Sequence, residues 1–296
     1  MGETIAVFTK NRTNPAYDAA RLGADRVAAR NGARTVHFVP DTPDDVGQQI
    51  ALVEQAISLR PDAVVFVPVH VTALDESVRK LNAAGIPVVN YLNRLAAGRV
   101  VSFVGSDDRR LGHDIAEYLF RHLGGKGDVV IVEGVPGALT SRDRTRGFHD
   151  AIAHWPGIRV IAARAGDYQR NTAERVMKEL LAELPHIDGV LSSNDVMSLG
   201  ILAALDAAGR RVPVIGVNAL PEAIAAIKAG RMLATVDFDA MKISCIATEA
   251  AIRHLRGEAV PAEIILPVQI VDRDNCGPWD MPLEQRASPR WNDVVR

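Results

Sequence analysis

Asn194 stands in SSNDVMSLG (192–200), where the apolar run GVL hands over to a helical stretch. An asparagine at such a seam can act in two ways. Asn194, or Asp195 beside it, can cap the helix by accepting from the orphan amide donors of the first turn. Alternatively, the Asn194 amide points into a crevice at the carboxyl end of a parallel strand, where open α/β sheets bind ligands. Catalytic chemistry has no comparable foothold. HExxH, GxSxG and GxxxxGK[ST] do not occur, and the glycines of EGVPG (133–137) lack GxGxxG spacing. Cys245 and Cys276 form no CxxC pair and have no histidine near them in sequence, so they read as buried thiols, with a single disulfide as the alternative. No enzymatic activity, metal or cofactor is expected.

The whole chain bounds the answer further. Its 296 residues are enough for two lobes of ordinary size, and 48% apolar with 24% charged residues is the composition of a globular protein. A net charge of -2 gives no overall attraction to nucleic acid. No apolar run approaches the roughly 18–20 residues needed to span a bilayer. The opening MGETIAVF enters a strand at once, which fits either a cytosolic protein or a chain whose signal peptide has been removed.

Two segments nearly copy one another. AAGIPVVN (83–90) matches AAGRRVPVIGVN (207–218), and SLRPDAVVFVP (58–68) matches AELPHIDGVLSSN (182–194). The strands starting at Ile5 and Val129 share the same offset, 124 to 126 residues, which points to duplication of one lobe. Within each copy, β-branched runs alternate with amphipathic helices: TIAVF, TVHFV, AVVFV, PVVNY and VSFV, then DVVIV, IRVIA, GVLSS, VPVIGV and LATVD. That alternation predicts two doubly wound, parallel-sheet lobes. Asn31-Gly32, Gly85, Gly209 and Gly230 each follow a helical stretch, where a left-handed residue is wanted. Ligand contacts should then come from the polar residues that follow strands. These are Thr9, Asn11 and Asn14; Asn93 and Arg94; and, in the second copy, Thr140, Ser141, Arg142, Asp167, Tyr168, Asn194 and Asn218.

These residues resemble the type I periplasmic sugar-binding proteins, nearest the ribose-binding branch. The resemblance runs from about Thr4 to Val271 through IAVFTKNRTNPAY, IPVVNYLNR, GVPGALTSRDRTRGF, SSNDVMSLG, IGVNALPE and GRMLATVDF. It implies two Rossmann-like lobes joined by a three-strand hinge, with crossovers near Gly105–Asp107, Val236–Asp239 and Ile264–Val268. A monosaccharide would lie between closing lobes and pass to the membrane permease of an ABC transporter. The lobes would comprise 1–105 with 239–264, and 106–238 with part of 265–275. After Val271 the tail departs from the family pattern, and its Trp279 and Trp291 predict an ordered strap, 276–296, packed on a lobe.

The family's sugar contacts carry over to Thr9, Asn14, Ala16, Tyr17, Asn93, Arg94, Arg142, Tyr168, Asn194, Asn218 and Phe238, with Asp237 as a substitute for Phe238. Asparagine amides donate and accept at once, arginine forks span neighbouring hydroxyls, and aromatic rings cover sugar C–H faces. Plainer roles compete with several of these. Asn14 before Pro15 can cap a helix, Tyr17 and Tyr168 can be boundary aromatics, and His70 can be a loop residue. Arg144 and Arg146 are expected on a solvated face, with Arg142 turned toward the ligand.

Departures from the pattern bear on specificity. Asn93 and Asn218 stand where many relatives have aspartates, Ala16 replaces a stacking aromatic, and NYLNR carries one extra residue. A neutral pentose, branched sugar, polyol or tetritol fits this set, as does a sugar acid. The expected protein is a periplasmic, monomeric solute-binding component with no nucleic-acid partner. The effector core of a lactose-repressor-type regulator, which shares the fold behind a DNA-binding segment, is the alternative.

Overall fold

The computed structural model of the chain describes residues 2–295. They form two α/β units, each with its own six-stranded sheet and core. The chain first builds β1 (Thr4–Phe8), α1 (Pro15–Arg30), β2 (Arg34–Phe38), α2 (Val46–Leu59), β3 (Ala63–Phe66), α3 (Asp75–Ala83), β4 (Val88–Tyr91) and β5 (Ser102–Gly105). It continues with α4 (Asp108–His122), β6 (Lys126–Glu133), α5 (Leu139–Ile152), β7 (Gly157–Ala165), α6 (Arg170–Glu183) and β8 (Gly189–Ser192). Then come α7 (Asp195–Ala207), β9 (Val214–Val217), α8 (Pro221–Lys228), β10 (Ala234–Asp237), α9 (Ala240–Leu255), β11 (Glu263–Ile265) and β12 (Gln269–Val271).

The first sheet has the order β11-β5-β4-β3-β1-β2 and is parallel throughout. The second has the order β12-β10-β9-β8-β6-β7, parallel except for the antiparallel β10–β12 pair. Strand for strand the orders agree, as duplication of one lobe requires. Sequence periodicity misses β11 and β12, because three-residue strands are too short to show a period.

The unit boundaries fall after Ser106, Phe238, Pro267 and Pro282. The tail is therefore divided rather than a single strap. Val268–Pro282 groups with the second unit, and the stretch from Leu283 with the first. Each part has its own aromatic anchor. Trp279 packs against the second core, whereas Trp291 is buried with the Arg253 guanidinium 4.7 Å over its ring.

Local chemistry explains the element ends. Asn14 caps α1 ahead of Pro15, Asp45 caps α2 and Asp107 caps α4, each through a side-chain oxygen. In the second unit, α4 and α5 cross closely at two helical glycines. A Cβ on Gly112 would lie 2.4 Å from the Arg144 carbonyl oxygen, and one on Gly147 would lie 2.1 Å from that of Arg109. Backbone cannot yield as a flexible side chain can. Gly147→Ala should therefore destabilise the protein by about 1–3 kcal/mol despite alanine's better helix propensity. Urea unfolding of the variant checks this, and an unchanged midpoint would show that the two helices have room to part.

Candidate functional site

In the first unit, β1 lies between β2 and β3, so the chain reverses its direction of winding there. Such a switch point opens a crevice at the strand ends. Thr9, directly after β1, is fully buried, and its hydroxyl accepts from Arg21 Nη1 at 2.8 Å. Asn11 holds the loop, its Oδ1 accepting from the Asn14 amide (2.9 Å) and its Nδ2 donating to Asp44 (2.9 Å). Lys10 Nζ lies 3.2 Å from the same Asp44 carboxylate. Asn14 caps α1 by accepting from the Ala16 amide at 3.0 Å, so its NH2 is the group it can offer a ligand. Ala16 and Tyr17 are buried in the first turn behind it.

The β4 end is organised by Asn90, which the sequence reading passed over. Its buried amide donates to the carbonyls of Phe66 (2.9 Å) and Asn93 (2.8 Å) and accepts from the Leu95 amide (3.0 Å). The extra residue of NYLNR is absorbed by Leu92, whose φ of 59° makes a tight turn in front of the buried Asn93. Arg94 is turned to the β5–β11 edge, where it pairs with Glu263 and lies 3.9 Å over the Phe103 ring. To reach a ligand it would have to leave both. His70 is a loop histidine whose Nδ1 accepts from the Thr72 and Ala73 amides at 3.3 and 3.2 Å.

In the second unit the switch point lies beside β6, between β7 and β8. Tyr168 follows β7 with a left-handed φ of 57°. Its ring covers Gly134, where a Cβ would sit 2.2 Å from Cζ, and its hydroxyl is 3.0 Å from Thr140 Oγ1. Asn194 caps α7, its Oδ1 accepting from the Met197 amide at 2.9 Å. Capping through the oxygen is therefore its structural role, and its amide NH2 is the group it can offer a ligand.

Asp195, rather than being the cap, lies fully buried beneath the loops. Its Oδ2 accepts from the Leu220 amide (2.9 Å) and its Oδ1 from the Thr235 hydroxyl (2.7 Å). Thr235 Oγ1 in turn accepts from the Ala219 amide at 3.3 Å. These bonds pin a strained turn: Asn218 has φ 120° and Ala219 φ 51°, left-handed values rare for residues with a Cβ. Burial raises the Asp195 pKa to about 6, with the hydrogen bonds from Leu220 and Thr235 opposing it.

The expectation for the arginines of RDRTR needs correcting. Arg142 is half exposed, with Nε 3.0 Å from Asp143, but Arg144 does not face solvent. It is buried, donating from Nε to Asp108 (2.8 Å) and from Nη1 to the Ser193 carbonyl (2.7 Å), with its guanidinium 5.6 Å over the Phe238 ring. Two helical positions differ by about 200°, so Arg142 and Arg144 must point to opposite sides. Ser141, Arg144, Gly147, Phe148 and Ala151 make up the inner stripe. Burial pushes the Asp108 carboxyl pKa up, and the Arg144 charge pulls it back. At the end of β10, Asp237 accepts from the indole N–H of Trp279 at 2.7 Å, and Phe238 is buried beside it.

Among the described residues no cluster suits a metal ion, and no helix is long and apolar enough to cross a membrane. Both cysteines are buried free thiols.

Two predictions follow from this geometry. Arg144→Met strands the Asp108 carboxylate in the interior and should cost about 3–5 kcal/mol. Arg142→Met should leave the melting temperature within a degree or two of the parent. Equal melting curves for the two variants would contradict the structure. Asp195 gives a pH signature. A carboxyl whose folded pKa is raised stabilises the fold most below about pH 4 and loses that contribution as pH climbs toward 6. Asp195→Asn cannot ionise, so its stability relative to the parent should rise across that window by up to about 3 kcal/mol, then level off. Denaturant titrations at pH 4, 5, 6 and 7 measure it; a constant difference would show that Asp195 titrates normally.

The profile of the family described as periplasmic binding protein domain matches residues 5–259. The ribose import binding protein of Bacillus subtilis is 32% identical over 267 residues, 90% of this chain and 86% of the relative. The D-ribose/D-allose-binding protein of Pseudomonas aeruginosa is 34% identical over 239 residues, 77% and 75% of the two chains. Among solved structures, an ABC transporter periplasmic solute-binding protein from Actinobacillus succinogenes with bound D-allose superimposes with a TM-score of 0.88. It is 29% identical, over 92% of this chain and 98% of that one. The chain therefore belongs to the periplasmic binding protein family, among the type I sugar-binding proteins of ABC transporters.

Proposed function

We propose that this chain binds a small sugar or polyol at the strand ends of its units and delivers it, as a monomer, from the periplasm to the membrane permease of an ABC importer. The observation that carries the reading is the pairing of polar strand ends in a duplicated fold. Asn14 and Asn93 stand at such ends in the first unit, and Tyr168, Asn194 and Asn218 in the second, with Arg142 close by in the first turns of α5. A ligand shifts the protein toward whichever state it binds more tightly, by its differential affinity for that state. Relatives whose names specify ribose and allose support the ligand class.

The candidate set is rich in amides and poor in carboxylates. Asp167 and Asp237 are its carboxylates, and a Trp279 N–H already engages Asp237. Asn93 and Asn218 can each donate and accept, so they suit hydroxyls without repelling an anion. This composition favours neutral sugars and polyols and tolerates a sugar acid.

A thermal-shift screen over pentoses, hexoses, tetritols and sugar acids tests the reading, since a ligand of the folded state raises the melting temperature. Arg142→Met should weaken the best binder by about 10- to 150-fold, the loss expected for hydrogen bonds to a charged group. Arg146→Met, exposed and 3.7 Å from Asp143, is the control and should bind like the parent. No stabilising compound in the screen would overturn the proposed ligand class, and equal binding by the two variants would remove Arg142 from the site.

A further inference from the structure

We propose that Trp279, in the C-terminal tail, is a positioning residue for the binding site: it fixes the end of β10, where Asp237 and Phe238 stand. The inference rests on the sugar-site reading above. It concerns a segment that lies beyond the last strand and outside the stretch resembling the family.

The tail reaches this place by a defined reversal. β12 runs antiparallel to β10, with Gln269 opposite Asp237 and Val271 opposite Thr235, so the chain leaves β12 travelling away from the strand end that bears Phe238. A side-chain-built turn then sends it back. Asp272 Oδ1 accepts from the amides of Asp274 (2.9 Å) and Asn275 (3.2 Å), and Asn275 returns bonds to the Asp272 amide and the Ile270 carbonyl, both 2.9 Å. The following 3-10 turn, Gly277–Asp280, lies against α8, with Asp280 paired to Lys228. Cys276 is buried and the Trp279 ring packs on the same core. The indole N–H arrives 2.7 Å from Asp237 Oδ2.

The same strand end also meets Arg144, whose guanidinium sits 5.6 Å over the Phe238 ring and donates 2.7 Å to the Ser193 carbonyl, next to Asn194. The end of β10 thus has a partner at each of two adjacent residues, and the tail supplies the one on Asp237. An indole–carboxylate bond is charge-assisted and directional. It turns Asp237 toward the tail and sets the backbone that presents Phe238. Without it the strand end would have to be ordered on binding, and that ordering is subtracted from affinity.

The test uses Trp279→Phe, which keeps an aromatic ring but removes the N–H, with Asp237→Ala, the double variant, and Lys228→Met as a control that breaks only the outer ion pair. In the ligand-free proteins, hydrogen exchange at the amides of 237–239 should be at least about threefold faster in Trp279→Phe than in the parent. This readout needs no ligand, so it stands whether or not the sugar reading does. Calorimetric titration with the tightest binder among ribose, allose, the tetritols and the sugar acids should show the Trp279→Phe variant weakened by about 3- to 10-fold. Asp237→Ala in the Trp279→Phe background should weaken binding by less than it does in the parent, and Lys228→Met should match the parent. A merely structural tryptophan would lower the melting temperature while leaving exchange at 237–239 and affinity unchanged, and that result overturns the proposal. So would fully additive effects in the double variant. If the parent binds none of these compounds while exchange still quickens, the sugar reading fails and the positioning of the β10 end survives.

Discussion

The second unit depends on one buried carboxylate. Asp195 sits at the start of α7, yet its oxygens are spent on the β9–α8 turn and on β10, through Leu220 and Thr235. An isolated ionised carboxylate in such a place would be expensive. Here two donors converge on it, and in exchange it holds Asn218 and Ala219 in backbone states that they would otherwise leave. The segments that follow β8 and β9, and the body of β10 at Thr235, are therefore tied together by a single side chain. The first unit uses neutral amides for the same task. Gln49 bridges Val67 and Val69, and Asn90 bridges Phe66, Asn93 and Leu95. Fully satisfied buried polar groups rigidify loops that apolar packing alone would leave adjustable.

Close helix packing decides which arginine faces inward. Gly112 and Gly147 bring α4 and α5 together at backbone distance, and Arg144 threads out of that contact to Asp108 and Ser193. The pair is dry, so its worth lies less in net attraction than in the cost of separating it. Arg142, half a turn away, is half exposed and pairs with its neighbour Asp143. Of two identical side chains two residues apart, one is buried scaffold and the other lies at the surface.

The duplication, the winding and ten of the twelve strands were legible because long apolar runs, glycine stops and a constant offset survive in sequence. Asn14 and Asn194 were legible as residues at strand–helix seams. Their capping bonds and any ligand contact use different atoms of the same amide, so neither role excludes the other. Asn90 and Asp195 were not legible as organisers, because a polar residue inside an apolar strand, or beside a cap, looks alike whether or not distant amides converge on it. Arg144 could have been found: the 141, 144, 148, 151 spacing marks an inner helix stripe, but three arginines within five residues conceal it. Trp279 was recognised as an anchor of the tail. Its partner Asp237, 42 residues away, depends on a reversal that only the three-dimensional course of the tail reveals.

The two cysteines have a practical bearing. Both are buried, and burial pushes the Cys245 thiol up to about 12, with almost no thiolate at neutral pH. Alkylating reagents must reach the sulfur, and in the folded protein both sulfurs lie buried. A single cysteine introduced at an exposed position could then carry a dye or spin label without first removing the natural pair. For a protein built of two units, that makes distance measurements between chosen points on each chemically straightforward.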